Sequence, residues 1–326
     1  MKVLVTTVPF GDKDKSPLEM LEANNIEYVI NPLNKKLTED ELSEMISDFD
    51  VIIAGTEPIT KKVFNNANSL KMISRVGIGL DSVDLIEARS QGIVISYTPD
   101  APAPAVAELT IGLILTLLRS VHISNMEMHN GKWHRFFGRR LSEITIGIIG
   151  VGRIGCGVLQ HLQGFGSPKI LLNDINSNHN LDQEYNIEWV DKETIYQKAD
   201  IVTIHTPLTA QTKNMVKKEH LLSMKKDAII INTSRGGIIN EQDLYEVMQS
   251  NHLSGAAIDV FDFEPYDGNL REIERCILTA HMGSMSVDCR TRMEIEATEE
   301  VVRFLTNKSL EGVVPETEYA VQREGL

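Results

Sequence analysis

Gly150-Val151-Gly152-Arg153-Ile154-Gly155 sets three glycines at the spacing that lets a backbone turn tightly and approach an anion. Alone, such a run says little. Here it follows the apolar stretch 144–149 and opens a helix-like stretch to about Gln163. An acid, Asp174, closes the next apolar stretch about 20 residues past the last glycine. Together these features predict a dinucleotide site. Gly150 permits the turn, Gly152 admits the pyrophosphate and Gly155 lets the helix pack on the strand, while the helix N-terminus supplies N–H donors and positive potential. Asp174 would accept hydrogen bonds from the adenosine ribose hydroxyls. A 2′-phosphate would meet like charge there, and Ile175-Asn176-Ser177-Asn178 offers no Arg to neutralise it, so the expected cofactor is NAD rather than NADP.

Such a loop must be held by a sheet, and the pattern around it supplies one. Short β-branched runs at 2–6, 27–30, 51–54, 71–75 and 93–96 alternate with helical segments, and a second series follows at 145–150, 169–173, 200–205, 228–233, 255–260 and 276–280. Near-continuous apolar runs such as Ile229-Ile230-Ile231 suit parallel strands covered on both faces. Thr38-Glu39-Asp40-Glu41 has the form of a capping box opening a helix. The joint Pro99-Asp100-Ala101-Pro102-Ala103-Pro104 leads into an apolar helix at about 105–121, and a further helix-like stretch runs from 286 to 307. It has no strand after it and would pack back on the first unit. The polar tail after Leu310 is expected to be poorly ordered. The fold class expected is α/β, with two doubly wound parallel-sheet domains (Rossmann- and flavodoxin-like) and a cleft between them. Residues 1–98 with 286–326 form one, and residues 99–285 the other.

With 326 residues the chain has length for two cores, and 42% hydrophobic with 24% charged residues is the balance of a globular protein. A formal charge of −14 argues against nucleic acid as a partner. The longest apolar run, 109–118, is far short of the ~20 residues of a membrane span, and Met1-Lys2-Val3-Leu4-Val5-Thr6 reads as a first strand rather than a signal peptide. Cys156, Cys276 and Cys289 are scattered, which fits reduced thiols in the cytoplasm, and no His/Cys/Asp/Glu group has metal-ligand spacing.

Four further blocks carry a resemblance: Ser74-Arg75-Val76-Gly77-Ile78-Gly79-Leu80-Asp81, Asn232-Thr233-Ser234-Arg235-Gly236-Gly237, Ala257-Ile258-Asp259-Val260-Phe261 with Glu264-Pro265, and Ala280-His281-Met282-Gly283. With the glycine loop, and over about 51–314, the chain resembles the D-isomer-specific 2-hydroxyacid dehydrogenases, particularly their phosphoglycerate dehydrogenase branch. The resemblance implies an NAD-dependent oxidoreductase that interconverts a small anionic 2-oxo acid and a D-2-hydroxy acid. Residues 99–285 would bind NAD and the remainder would be the substrate domain. Arg235 would grip the substrate carboxylate with its planar fork, and His281 would give or take the proton while hydride moves at the nicotinamide. Glu264 would orient His281 and favour its charged form. Arg75 and the backbone of Val76 and Gly77 would add substrate contacts. For the cofactor, the resemblance implies Arg153 and Ile154 on the pyrophosphate, Thr206 beside Pro207 on the adenosine side, and Thr233 and Ser234 near the nicotinamide ribose. Asp259 would bind the carboxamide, helped by Gly283 and Ser284. The corresponding apolar helix lies at a dimer interface in this family, so a homodimer is expected.

Two departures bear on the substrate. Where the phosphoglycerate branch places an Arg after the third strand, this chain reads Gly55-Thr56-Glu57-Pro58, and a carboxylate facing a phosphate costs affinity. Ile78 stands where related enzymes often carry a hydroxyl. 3-Phosphoglycerate therefore competes with a non-phosphorylated 2-hydroxy acid as substrate. A reading of another class is an NADH-binding, corepressor-like regulatory protein, which retention of Arg235, Glu264 and His281 leaves open.

Overall fold

Unbroken Val and Ile runs form the strands, because only a parallel sheet covered on both faces buries every side chain of such a run. The computed structural model describes residues 1–323, which divide into two compact units: Met1–Pro102 with Met285 onward, and Ala103–Ser284.

In the first unit, β1 (Lys2–Val5), β2 (Glu27–Ile30), β3 (Val51–Ala54), β4 (Met72–Arg75) and β5 (Val94–Tyr97) form a parallel sheet of order β2-β1-β3-β4-β5. The capping box is present: Thr38 Oγ1 accepts from Glu41 N–H, and the Glu41 carboxylate accepts from Thr38 N–H at 2.9 Å. The helix Val287–Leu305 closes one face. Met293, Ala297 and Val301 pack with Val3, Val5, Val51 and Ile53, and Ser74 Oγ donates to Ala297 O at 2.8 Å. The tail departs from the disorder expected of it. Val314 N–H donates to Ile95 O at 3.0 Å, and a helix Glu316–Arg323 buries Tyr319. The Arg89 guanidinium lies 3.4 Å over that ring and pairs with Glu316. A single anchoring aromatic outweighs a polar composition.

The second unit holds seven parallel strands: β6 (Thr145–Ile149), β7 (Lys169–Asn173), β8 (Ile187–Trp189), β9 (Ile201–Ile204), β10 (Ile229–Asn232), β11 (Gly255–Ile258) and β12 (Cys276–Leu278). Their order is β12-β11-β10-β9-β6-β7-β8, so the winding reverses between β6 and β9 and opens a crevice at their carboxyl ends. β8 is a strand the sequence pattern did not predict. It has three residues, and its only partner among the described strands is β7, so it lacks a long apolar run. The apolar helix spans Ala103–Leu118 rather than 105–121. It turns by 64° at Ser120, whose φ is +49°, into a second helix Val121–His129. Val106, Ala107, Thr110, Ile111, Ile114 and Leu117 bury the first helix within its own unit, so the apolar surface expected to meet a partner is largely covered. Among the described residues no single helix is long and apolar enough to cross a membrane.

Candidate active site

The residues singled out in the second unit all follow carboxyl ends of its strands. The glycine loop follows β6, Asp174 β7, Thr206 and Pro207 β9, and Thr233, Ser234 and Arg235 β10. Asp259 and Glu264 follow β11, and His281, Gly283 and Ser284 follow β12.

At β6, Gly150 has φ +92°, and a Cβ there would lie 2.6 Å from the His205 carbonyl carbon, while one at Gly155 would lie 2.1 Å from Gly150 O. The turn therefore closes only with glycine. The helix Arg153–Gln163 begins immediately, leaving its first N–H groups without intrahelical partners, and nothing lies within 4 Å of a Cβ placed on Gly152. Asp174 accepts from Val151 N–H at 2.6 Å and from Asn176 N–H at 3.0 Å. A carboxylate still has lone pairs for ribose hydroxyls. Across the crevice, burial pushes His205 down to about 3, and its Nε2 lies 2.9 Å from Thr203 Oγ1. His205 Nδ1 and Thr206 Oγ1 are buried without a hydrogen-bond partner. Open space at Gly152, the N-terminus of the helix that follows it and the orphaned polar atoms after β9 fit a dinucleotide pyrophosphate and ribose.

At β10, Asn232 builds the turn that carries Arg235. Its Oδ1 accepts from Ser234 N–H at 3.0 Å and Ser234 Oγ–H at 2.7 Å, and its Nδ2 donates to Arg235 O at 2.8 Å. Thr233 Oγ1 lies 2.9 Å from Thr110 Oγ1. The Thr233 and Ser234 hydroxyls thus both have partners within the unit.

His281 is held in the left-handed region, φ +49°, where a side chain other than Gly or Asn is strained by about 1–2 kcal/mol. Asp259 holds it there. The Asp259 carbonyl accepts from His281 N–H at 2.8 Å, and its buried carboxylate accepts from Thr279 Oγ at 2.6 Å and from the Met282 and Gly283 N–H groups at 2.9 Å. The sequence offered Asp259 only as a cofactor contact, and Thr279 not at all. Their clamping role emerges from the strand-end geometry. Facing His281, Glu264 sets its two oxygens 3.0 and 3.1 Å from Nδ1 and accepts from Phe261 N–H at 3.2 Å. With Nδ1 engaged, Nε2 is the nitrogen left for a reacting oxygen.

Arg75, Val76 and Gly77 lie at the end of β4, in the other unit. The backbone N–H groups of Val76 and Gly77 have partners within that unit. Val76 N–H donates to Ala54 O at 2.9 Å and Gly77 N–H to Thr98 Oγ1 at 2.7 Å, because the chain continues the sheet's pairing past β4. Each would have to give up a bond inside its unit to serve a substrate. Glu57 is buried, 2% exposed, and accepts from Thr6 Oγ–H and from Gly55 N–H at 3.0 Å. Among the described residues no group of three or more His, Cys, Asp and Glu side chains is placed to hold a metal ion.

Comparison with known proteins agrees with this geometry. The family model described as D-isomer specific 2-hydroxyacid dehydrogenase, NAD binding domain, matches residues 111–283. The chain is 33% identical to hydroxypyruvate reductase of Thermotoga maritima over 279 residues, 83% of this chain and 90% of that one. It is 36% identical to D-3-phosphoglycerate dehydrogenase of Methanocaldococcus jannaschii over 284 residues, covering 85% of this chain and 54%, about half, of that one. The crystal structure of the TT0316 protein from Thermus thermophilus superposes with a TM-score of 0.87 at 30% identity, covering 97% of this chain and all of that one. A glycine loop, a strand-end acid and a Glu-supported His on such a sheet, together with these likenesses, place the chain in the D-isomer-specific 2-hydroxyacid dehydrogenase family of NAD-dependent oxidoreductases.

Proposed function

We propose that the chain interconverts a small 2-oxo acid and its D-2-hydroxy acid at Arg235, Glu264 and His281. The observation that carries this reading is the His281–Glu264 pair, with Nδ1 bound at 3.0 Å and Nε2 left to work. NAD, when bound, supplies or takes the hydride. Glu264 fixes the ring and offsets the positive charge of the protonated imidazole, and Nε2 then gives a proton to the 2-oxo oxygen or takes it back from the hydroxyl. Arg235 binds the carboxylate through two parallel N–H bonds. Arg153 and Ile154 face the pyrophosphate, Asp174 and Thr206 with Pro207 the adenosine side, and Thr233, Ser234, Asp259, Gly283 and Ser284 the nicotinamide side. Residues 1–98 with 286–326 serve the substrate. Of the two substrate classes, Glu57 favours the non-phosphorylated acid, since its carboxylate is fixed by Thr6 and Gly55 where a phosphate would need a cation. The enzyme works as a homodimer in the cytoplasm. Exposed Trp133 and Phe137 supply the apolar surface for pairing, and the three free cysteines suit a reducing compartment.

The test is NADH oxidation with hydroxypyruvate, glyoxylate, pyruvate and 3-phosphohydroxypyruvate, repeated with NADPH. Turnover of a non-phosphorylated acid is expected, with NADH favoured at least about tenfold, the scale of one ~1.4 kcal/mol charge interaction at Asp174. NADH binding without turnover of any 2-oxo acid would support the regulatory reading instead.

A further inference from the structure

Glu264 stands on a loop with no regular structure, yet it must hold His281 within about half an ångström to be of use. What fixes that loop comes from another element. Glu241, first residue of the helix Glu241–Gln249, accepts from Asp262 N–H at 2.8 Å, between the two residues, Phe261 and Glu264, that are themselves joined by Phe261 N–H to Glu264 Oε1 at 3.2 Å. The helix is capped by Asn240, whose Oδ1 accepts from Asp243 N–H at 3.0 Å, so the Glu241 backbone is fixed. The same loop lies directly on the turn after Arg235. A Cβ on Gly236 would stand 2.0 Å from the Phe261 carbonyl carbon, and one on Gly237 would stand 2.6 Å from an Asp262 carboxylate oxygen.

From this geometry we infer that Glu241 is a positioning residue for the Glu264–His281 pair, acting through the backbone of Asp262. The segment from Arg235 to Glu241 and the loop 261–264 form one unit. Two glycines set the depth of contact and the Glu241–Asp262 bond locks it. Glu241 touches neither His281 nor any reacting atom. Burial pushes its carboxyl up; the Asp262 N–H opposes this, and the charges of Asp262 and Glu264 add to the rise, so these three acids share one corner. Placing a third carboxylate beside Asp262 and Glu264 is electrostatically unfavourable, and the hydrogen bond to the loop is the return for it.

The inference rests on the proposed roles of Glu264 and His281, and its test separates the two. Glu241→Gln keeps an acceptor for Asp262 N–H, whereas Glu241→Ala removes it and Glu241→Asp withdraws it by one methylene. Turnover of a 2-oxo acid should fall about tenfold in the Ala and Asp variants and stay within about twofold of wild type in Gln, the NADH dissociation constant being unchanged in all three. In parallel, the His281 Nδ1 proton followed by NMR, slowed in exchange by Glu264 in wild type, should exchange fast in Ala and Asp and slowly in Gln. The second readout needs no turnover, so an inactive wild type would sink the proposed activity and still test Glu241. Wild-type exchange and turnover in Glu241→Ala, or equal loss in Gln and Ala, would overturn the inference.

Discussion

His281 takes its place from two neighbours of opposite kind: a buried Asp259 that fixes its backbone and a partly buried Glu264 that fixes its ring. This division predicts how single changes differ. Arg235→Ala should raise the substrate KM sharply and lower turnover as well, since its bonds both hold and align the reactant. His281→Ala should chiefly lower turnover, by roughly the 10²–10⁴ of general acid–base catalysis. Glu264→Gln keeps an oxygen near Nδ1 but loses the paired carboxylate contact that orients the ring, so turnover should fall by less than in His281→Ala while the substrate KM changes little. Steady-state kinetics over a pH series check all three, with NADH binding retained throughout. Near-wild-type turnover in His281→Ala across that range would rule out its proton role.

Elements in the second unit are joined at a largely buried carboxylate that lies before a strand, whereas Arg235, Glu264 and His281 follow strand carboxyl ends. Asp200, just before β9, accepts from Thr145 N–H at 2.8 Å at the start of β6 and pairs with Arg139 at 3.0 Å and Lys225 at 3.2 Å. Burial alone would push its carboxyl up, but the Thr145 N–H and the Arg139 and Lys225 charges outweigh this and hold it below the usual range. A lowered folded value contributes stability that is present above the unfolded value of ~3.9 and is lost as pH falls through the folded one. Asp200→Asn should therefore lower Tm at pH 7 by about 2–4 °C, the effect of ~1 kcal/mol on a domain of this size. Thermal melts should show the gap narrowing below about pH 4. A gap independent of pH would mean that shape rather than charge is at stake. At this scale the sequence was most readable where a signal was local: the capping box at Thr38 rests on residues three apart. β8 and the Tyr319 helix were not legible, because each depends on partners outside its own segment: β7 for the strand, and Val83, Leu85 and Arg89 for the helix.

At the scale of the molecule, the segment after Ser120 gathers several exposed apolar side chains in one stretch of the described residues. The helix Val121–His129 buries none of its residues, and Trp133 and Phe137 are 81% and 104% exposed. Such a surface is expected to be covered by a second copy, so sedimentation at micromolar concentration should show twice the monomer mass, and Trp133→Glu with Phe137→Glu should return a monomer. A wild-type monomer under those conditions would remove the homodimer. The sequence by itself determined the α/β class and the glycine loop with its acid, and singled out Arg235, Glu264 and His281 as candidates, because strand periodicity, turn glycines and block order are written in neighbouring residues. Only the tertiary structure decided what holds those side chains. Asp259 under His281, Asn232 under Arg235, Glu241 against Asp262 and the engaged amides of Val76 and Gly77 all follow from which strand ends the sheet order brings together. A hydrogen bond between residues 20 apart in the chain leaves no periodic trace in sequence. It exists only once parallel pairing has set their register.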